Sequence, residues 1–210
     1  SDACGTGCVE VTSDAAGAAT VNLRENAWFA YRILADATLG TVTVVGYNDD
    51  TDLTADVAGA SDAIELSQIG AALFNAAIGA ASITVQTGTG IFTGTAYDCA
   101  GNELVNAHLR VFAPGGEVDG GTARTGPRYV YWAPGGVFPS ASLPGTTSEG
   151  RFAGANIPWE DTIRIELWGV VTDGEPETMV GCEEIGGAGD RVNLIAIHPA
   201  RSDGPSGCSG

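Results

Sequence analysis

A period-two alternation of apolar and polar residues, broken every few residues by Gly- and Pro-rich stretches, constrains this chain more than any other feature. Successive side chains of a strand point to opposite faces of a sheet. Such runs therefore fit half-buried strands and do not fit helices. They are expected at Val9–Thr12, Ala19–Leu23, Trp28–Leu34 and Thr41–Val45, with turns at Asp14–Gly17 and Asn48–Asp52. They return at Ile83–Val85, Ile91–Cys99, Ala107–Phe112, Arg128–Trp132, Arg151–Ala155, Thr162–Trp168, Thr178–Val180 and Arg191–His198. In Thr162–Trp168 the alternation sends Ile163, Ile165 and Leu167 inward, and Arg164 and Glu166 toward solvent. Only Ser61–Gly79 has a helical period: Ile64, Ile69, Leu73, Phe74 and Ile78 form one stripe, with Ser61 or Asp62 as cap and Glu65 in the first turn. Many short strands and a single helix predict a mostly-β protein built as a sandwich or barrel.

The segments suggest four parts: a β-rich N-terminal module over residues 1–60, a helix and connector over 61–89, a β-sandwich over 90–200, and a Gly/Ser-rich tail over 201–210. The turn at Thr12–Gly17 has a faint echo at Thr146–Gly150, each leading into a strand with an Ile-Arg or Arg-Ile core. On this reading the first module is an incomplete copy of the second. A sheet lacking a strand exposes an edge that another chain can fill.

Charge and cysteine content narrow the setting. With 26 acidic residues against 9 basic ones, all Arg, the net charge is −17. That balance repels phosphate backbones and anionic lipid surfaces, so neither nucleic acid nor membrane insertion is expected. No apolar stretch reaches the ~18 residues of a membrane span. The five cysteines have no C-x-x-C pair and no His cluster, so they read as disulfides of an oxidising compartment rather than as a zinc site. Cys99 and Cys182 each adjoin a strand-like run and are expected to clip two sheets, while Cys208 is expected to bond Cys4 or Cys8. One cysteine then remains, free or bonded to a second chain. The chain begins at Ser1 with no export signal in view, and is expected to be a mature or excised form found outside the cell or on its surface.

Ala96–Asn102 followed by Val105–Val111 resembles the first hairpin of the carboxypeptidase regulatory-like domain, a transthyretin-like or prealbumin-type sandwich. Thr147–Phe152 followed by Asn156–Pro158 resembles a later stretch of the same family. The resemblance covers about residues 90–200 and departs at Glu103, where Pro is usual, and at Asn106, where Gly is usual. It implies a Greek-key sandwich, and implies no chemistry. A helix ahead of such a Cys-bearing module also resembles secreted proteins of predatory, myxobacteria-like organisms.

No catalytic set accompanies this fold. The chain has no G-x-S-x-G elbow, no H-E-x-x-H helix and only two histidines, His108 and His198, so neither a hydrolase nor a metal-dependent enzyme is expected. Asp49, Asp50, Asp52 and Asp56 offer either a calcium site, the one candidate cofactor, or a solvated hairpin tip. Tyr129, Tyr131 and Trp132 offer either core packing or a glycan-stacking platform. The expected role is a non-catalytic structural or adhesive protein, self-associating or meeting other surface proteins. A polysaccharide-binding accessory module is the second reading.

Overall fold

The computed structural model describes residues 8–21, 29–36, 38, 40–48, 68–98, 100–159, 162–170, 174–186, 189–197 and 199. The chain divides into two compact units, residues 1–29 with 48–65 and residues 30–47 with 66–210.

In the first unit the described stretch of chain away from the strands is residues 8–21. It forms an exposed connection around the expected turn, where Asp14 Oδ1 accepts the backbone N–H groups of Ala16 (2.8 Å) and Ala18 (3.0 Å) and Gly17 has φ 84°. The strands expected at Val9–Thr12 and Ala19–Leu23 are absent from the described part of those runs. Alternation becomes a strand only where a neighbour supplies a ladder and a covering layer, and here Val9 is left 63% exposed.

The second unit follows the alternation closely. The strands are β1 (Phe29–Ile33), β2 (Val44–Asn48), β3 (Gly90–Ala96), β4 (His108–Ala113), β5 (Gly116–Val118), β6 (Arg128–Trp132), β7 (Pro139–Ser140), β8 (Arg151–Ile157), β9 (Thr162–Gly169), β10 (Thr178–Gly186) and β11 (Val192–Ile197). A seven-stranded sheet has the order β1-β2-β11-β3-β8-β6-β7, and a four-stranded sheet the order β10-β9-β4-β5. The protein is thus mostly β, with two sheets and one helix among the described residues, as a β-sandwich requires. Strand β11 runs parallel to both β2 and β3, whereas β3, β8, β6 and β7 pair antiparallel. Residues 30–47, expected in a separate N-terminal module, therefore share a sheet with the sandwich strands.

Phe92, Phe152, Ile157 and Ile197 of the large sheet meet Leu109, Val111, Ile163, Ile165, Leu167 and Ile185 of the small one in a continuous apolar core. Rings cover glycines on this framework. A side chain at Gly154 would run into the Phe92 ring, one at Gly90 into Trp159, and one at Gly46 into Tyr31. The large sheet's second face carries Ile91, Val130, Ala155 and Val192, against which Ile69, Phe74, Ile78 and Ile83 pack.

The helix α1 (Ala71–Ala80) is shorter than expected. Gln68–Gly70 is extended, because Gly70 pairs with Thr41 and the Val42 N–H donates to the Ile69 carbonyl at 3.0 Å. Ser61, Asp62, Ile64 and Glu65 lie outside the described residues. Of the expected stripe, Phe74 and Ile78 are packed and Leu73 is exposed. Ile83–Val85 forms no strand; the Thr84 N–H bonds the Arg124 carbonyl of a loop instead. Strands β5 and β7, three and two residues long, are too short to show a period.

Two left-handed asparagines hold the loops. Asn106 has φ 60° at the place where the resembled hairpin carries Gly, a conformation Asn tolerates better than most side chains. Asn156, φ 57°, sits in the irregularity where β3 meets β8. Its Oδ1 accepts the Gln86 N–H (2.9 Å), and its Nδ2 donates to the Thr84 (3.0 Å) and Gly126 (3.2 Å) carbonyls.

Candidate functional site

Registered pairing of β4 with β9 places Leu109 opposite Leu167 and Val111 opposite Ile165 on the core side. On the outer side it places His108 opposite Trp168, Arg110 opposite Glu166, and Phe112 opposite Arg164. Five of these outer residues, Arg110, Phe112, Arg164, Glu166 and Trp168, interlock. The Arg110 guanidinium lies 4.9 Å from the Trp168 ring centre and 5.5 Å from that of Phe112, and Arg164 lies 4.6 Å from Phe112. Charge and ring thus alternate across the two strands, an arrangement each cation–π contact stabilises modestly.

The carboxylates complete the ladder. Arg110 donates from Nε and Nη2 to the two oxygens of Glu117 on β5, both at 2.7 Å, the bidentate geometry that gives a guanidinium–carboxylate pair its specificity. This pairing holds the Glu117 carboxyl below its ordinary range and raises the Arg110 guanidinium. Glu166 Oε2 accepts the Trp168 indole N–H at 2.7 Å, and its Oε1 lies 3.0 Å from Arg164 Nε. His108 Nδ1 lies 3.1 Å from Glu177 Oε1. Two ion pairs, the His108–Glu177 contact and three cation–π contacts therefore gather among these residues.

Glu166 corrects the sequence expectation. It leaves the core side as the alternation requires, yet it is only 5% exposed. Arg164 and Trp168, two residues away on either side, fold over it, and Arg110 closes the third side across the strand pair. The signal was present as Arg164-x-Glu166-x-Trp168, three complementary groups on one face of a strand. Recognising it needed Arg110 on a strand more than fifty positions earlier.

Of the two readings of Tyr129, Tyr131 and Trp132, core packing or a glycan platform, the first describes Tyr129 and Tyr131. Tyr131 is 4% exposed and lies in the core, where its hydroxyl accepts the Leu109 N–H at 2.9 Å and so ties the two sheets together. Burial pushes its hydroxyl up to about 12. Tyr129 packs against the same core and donates its hydroxyl to the Val118 carbonyl, with burial raising its pKa further. Trp132 is half-buried, with its indole N–H donating to the Val137 carbonyl at 3.2 Å. Two of these three rings bridge the sheets, as the core-packing reading has them.

Asp49, Asp50, Asp52, Asp56, Cys4, Cys99, Cys208 and His198 lie outside the described residues. Among the described residues no group of three His, Cys, Asp or Glu side chains is arranged to hold a metal ion, and no helix is long and apolar enough to cross a membrane. Cys182 on β10 is opposite Glu166 and buried; neither it nor Cys8 is without a partner. No family model matches the chain, and no curated protein matches it.

Proposed function

We propose that this chain is a non-catalytic structural or adhesive β-sandwich protein, working outside the cell or on its surface, and that it makes contact through the outer face of its four-stranded sheet. One observation carries the reading: the alternating guanidinium–ring ladder of Arg110, Phe112, Arg164 and Trp168, half-exposed on that face. Arg and aromatic side chains held in place before binding are the residues that supply most of the energy of protein contacts, because little rotamer freedom remains to be lost. Met179, 47% exposed and opposite Trp168, adds an adaptable apolar group at the same face. Reactive chemistry has little foothold there. The Glu166 carboxylate already meets Trp168 and Arg164, and Arg110 already meets Glu117. Burial of Tyr129 and Tyr131 weighs against the polysaccharide-binding reading.

The extracellular setting rests on the cysteines. We propose the pairs Cys99–Cys182 and Cys8–Cys208, supported by the engaged state of Cys8 and Cys182 and by the edge position of β10 in its sheet. Mass spectrometry of unreduced Arg-specific digests should recover both linked peptides; free thiols at all five positions would remove the extracellular assignment. The prealbumin-type reading is supported by the Asp98–Asn102 turn, closed by the Tyr97–Glu103 bridge, and by the left-handed Asn106.

The contact face is tested with fluorescently labelled chain applied to the surface of the producing cells. Trp168→Ala and Arg110→Ala should each weaken binding by roughly tenfold or more, the loss expected for a contact hot spot. Binding unchanged in both variants, with the fold intact by circular dichroism, would refute the assignment.

A further inference from the structure

We infer that Arg124 and Arg128 form a binding site for one small, doubly charged oxyanion of the sulfate or phosphate type. The site lies on the helix-covered face of the seven-stranded sheet, apart from the contact face proposed above. Arg128 opens β6 two residues before Val130, which belongs to the cluster on which Phe74 and Ile78 pack, so the two share that face. Arg124 stands exposed in the loop leading into β6, and Arg128 is half-buried.

Two guanidiniums converge here on one carbonyl. Arg124 Nε donates to the Ser82 carbonyl at 3.4 Å, and Arg128 Nη1 donates to the same oxygen at 3.3 Å. The two donating nitrogens therefore stand no farther apart than these bonds laid end to end. Arg128 Nη1 also reaches the Thr122 carbonyl at 3.2 Å. Among the described residues neither arginine forms an ion pair, whereas Arg110 and Arg164 each lie within 3.0 Å of a glutamate oxygen. In a chain with 26 acidic residues against 9 basic ones, two neighbouring cations without a carboxylate suit an anion from outside.

The helix end does not account for both. Ser82, at φ 54°, turns the chain out of α1, whose negative end carries roughly half an elementary charge. The two guanidiniums bring two full charges to it. Both bonds to Ser82 are also longer than the ~2.9–3.0 Å of an ordinary N–H···O bond, while Arg110 holds Glu117 at 2.7 Å. The carbonyl thus positions the pair without occupying it. Arg124 commits only its Nε, so both terminal nitrogens remain to meet a ligand.

The backbone around the pair is fixed before any ligand arrives. The Thr84 N–H donates to the Arg124 carbonyl at 2.8 Å, the Gly121 N–H to the Pro127 carbonyl at 2.9 Å, and Asn156 Nδ2 to the Gly126 carbonyl at 3.2 Å. Guanidiniums on such a frame lose little freedom on binding and match the oxygens of sulfate or phosphate in pairs. Two positive charges fit a dianion. The net charge of −17 repels an extended polyanion, so the ligand is small.

The test is a titration of the isotope-labelled full chain with sodium sulfate at neutral pH, read in the NMR signals of the backbone amides and arginine Nε groups. Sodium chloride holds the ionic strength constant. Saturable shifts are expected at Ser82, Arg124 and Arg128, with a dissociation constant of about 1 mM or below. Arg124→Gln and Arg128→Gln should each weaken binding roughly tenfold or more, and acetate should bind roughly tenfold more weakly than sulfate. Arg151→Gln removes the same charge from the other end of β8 and should change binding by less than about twofold. Glycerol phosphate is titrated alongside: tighter binding than sulfate assigns the group to a larger molecule, and equal or weaker binding assigns it to the free ion.

Shifts that rise without saturating overturn the inference, as does binding equal in Arg124→Gln and the parent. Arg151→Gln weakening binding as much as Arg124→Gln overturns it too, because overall charge and no site would then explain the loss. Acetate binding as tightly as sulfate removes the doubly charged class. Arg124 is exposed, so its variant reports even if Arg128→Gln loosens the loop.

Discussion

The two faces of β4 and β9 are made by alternate residues of the same strands, and they are held by different physics. Inward, Leu109, Val111, Ile163, Ile165 and Leu167 are buried between the sheets, where stabilisation scales with apolar area removed from water and depends little on direction. Outward, Arg110, Phe112, Arg164, Glu166 and Trp168 depend on geometry, and each half-exposed pair contributes modestly because water and salt compete for it. The inner face sets how stable the sandwich is, and the outer face sets what it can recognise. The two should therefore come apart under substitution.

The largest separation should come from the core. Ile165→Ala removes a side chain with no exposed surface and is expected to cost about 2–5 kcal/mol in urea unfolding, because the surrounding sheets relax only partly around the cavity. A loss below that range would mean that the two sheets close over the gap. Next comes Gly154→Val, which drives a side chain into the Phe92 ring and should cost about 1–3 kcal/mol by the same measurement. Unchanged stability would show that the ring has room to swing aside.

Tyr131→Phe probes a polar contact inside the apolar layer. It leaves the Leu109 N–H without its acceptor, at an expected cost of about 1–3 kcal/mol. The same residue imposes an alkaline limit. Its folded pKa, about 12, stands above the ordinary value of 10.0, so the unfolded chain releases this proton first. Stability is full below pH 10 and falls as pH rises toward 12, by roughly 2–3 kcal/mol from this group. Melting curves across that window should show a shallower fall in Tyr131→Phe than in the parent.

The smallest effect belongs to the outer face. The folded pKa of Glu117 is depressed by Arg110, so its contribution is present above the ordinary value of 4.5 and fades as pH drops through the lower folded value. Glu117→Gln should leave the melting temperature nearly unchanged at neutral pH, and any difference should vanish in high salt. A large, salt-insensitive loss would overturn the division of labour between the faces.

These contrasts also mark how far the sequence can be read. The alternation of Arg128–Trp132 yields β6 with the expected bounds, and that of Thr162–Trp168 yields β9 with its inward Ile163, Ile165 and Leu167. The same alternation failed at Val9–Thr12, where no neighbouring strand among the described residues takes up the ladder. It placed Tyr129 and Tyr131 on one face, which they share, and left core packing and a glycan platform as alternatives until the fold put that face in the core. The candidate site was half legible. Arg164, Glu166 and Trp168 stand together in sequence, but Arg110, Phe112 and Glu117 reach them only through strand register.

By itself, then, the sequence determined most of the longer strands, because the two-residue period is a local property of the backbone and each run carries its own pattern of faces. The tertiary structure decided which face meets which layer. Nothing local places β11 parallel between β2 and β3, or sets Arg110 against Glu166 and Trp168. Burial and pairing are relations between segments far apart in the chain. A carboxylate such as Glu166 becomes a buried organising group only when those segments arrive around it.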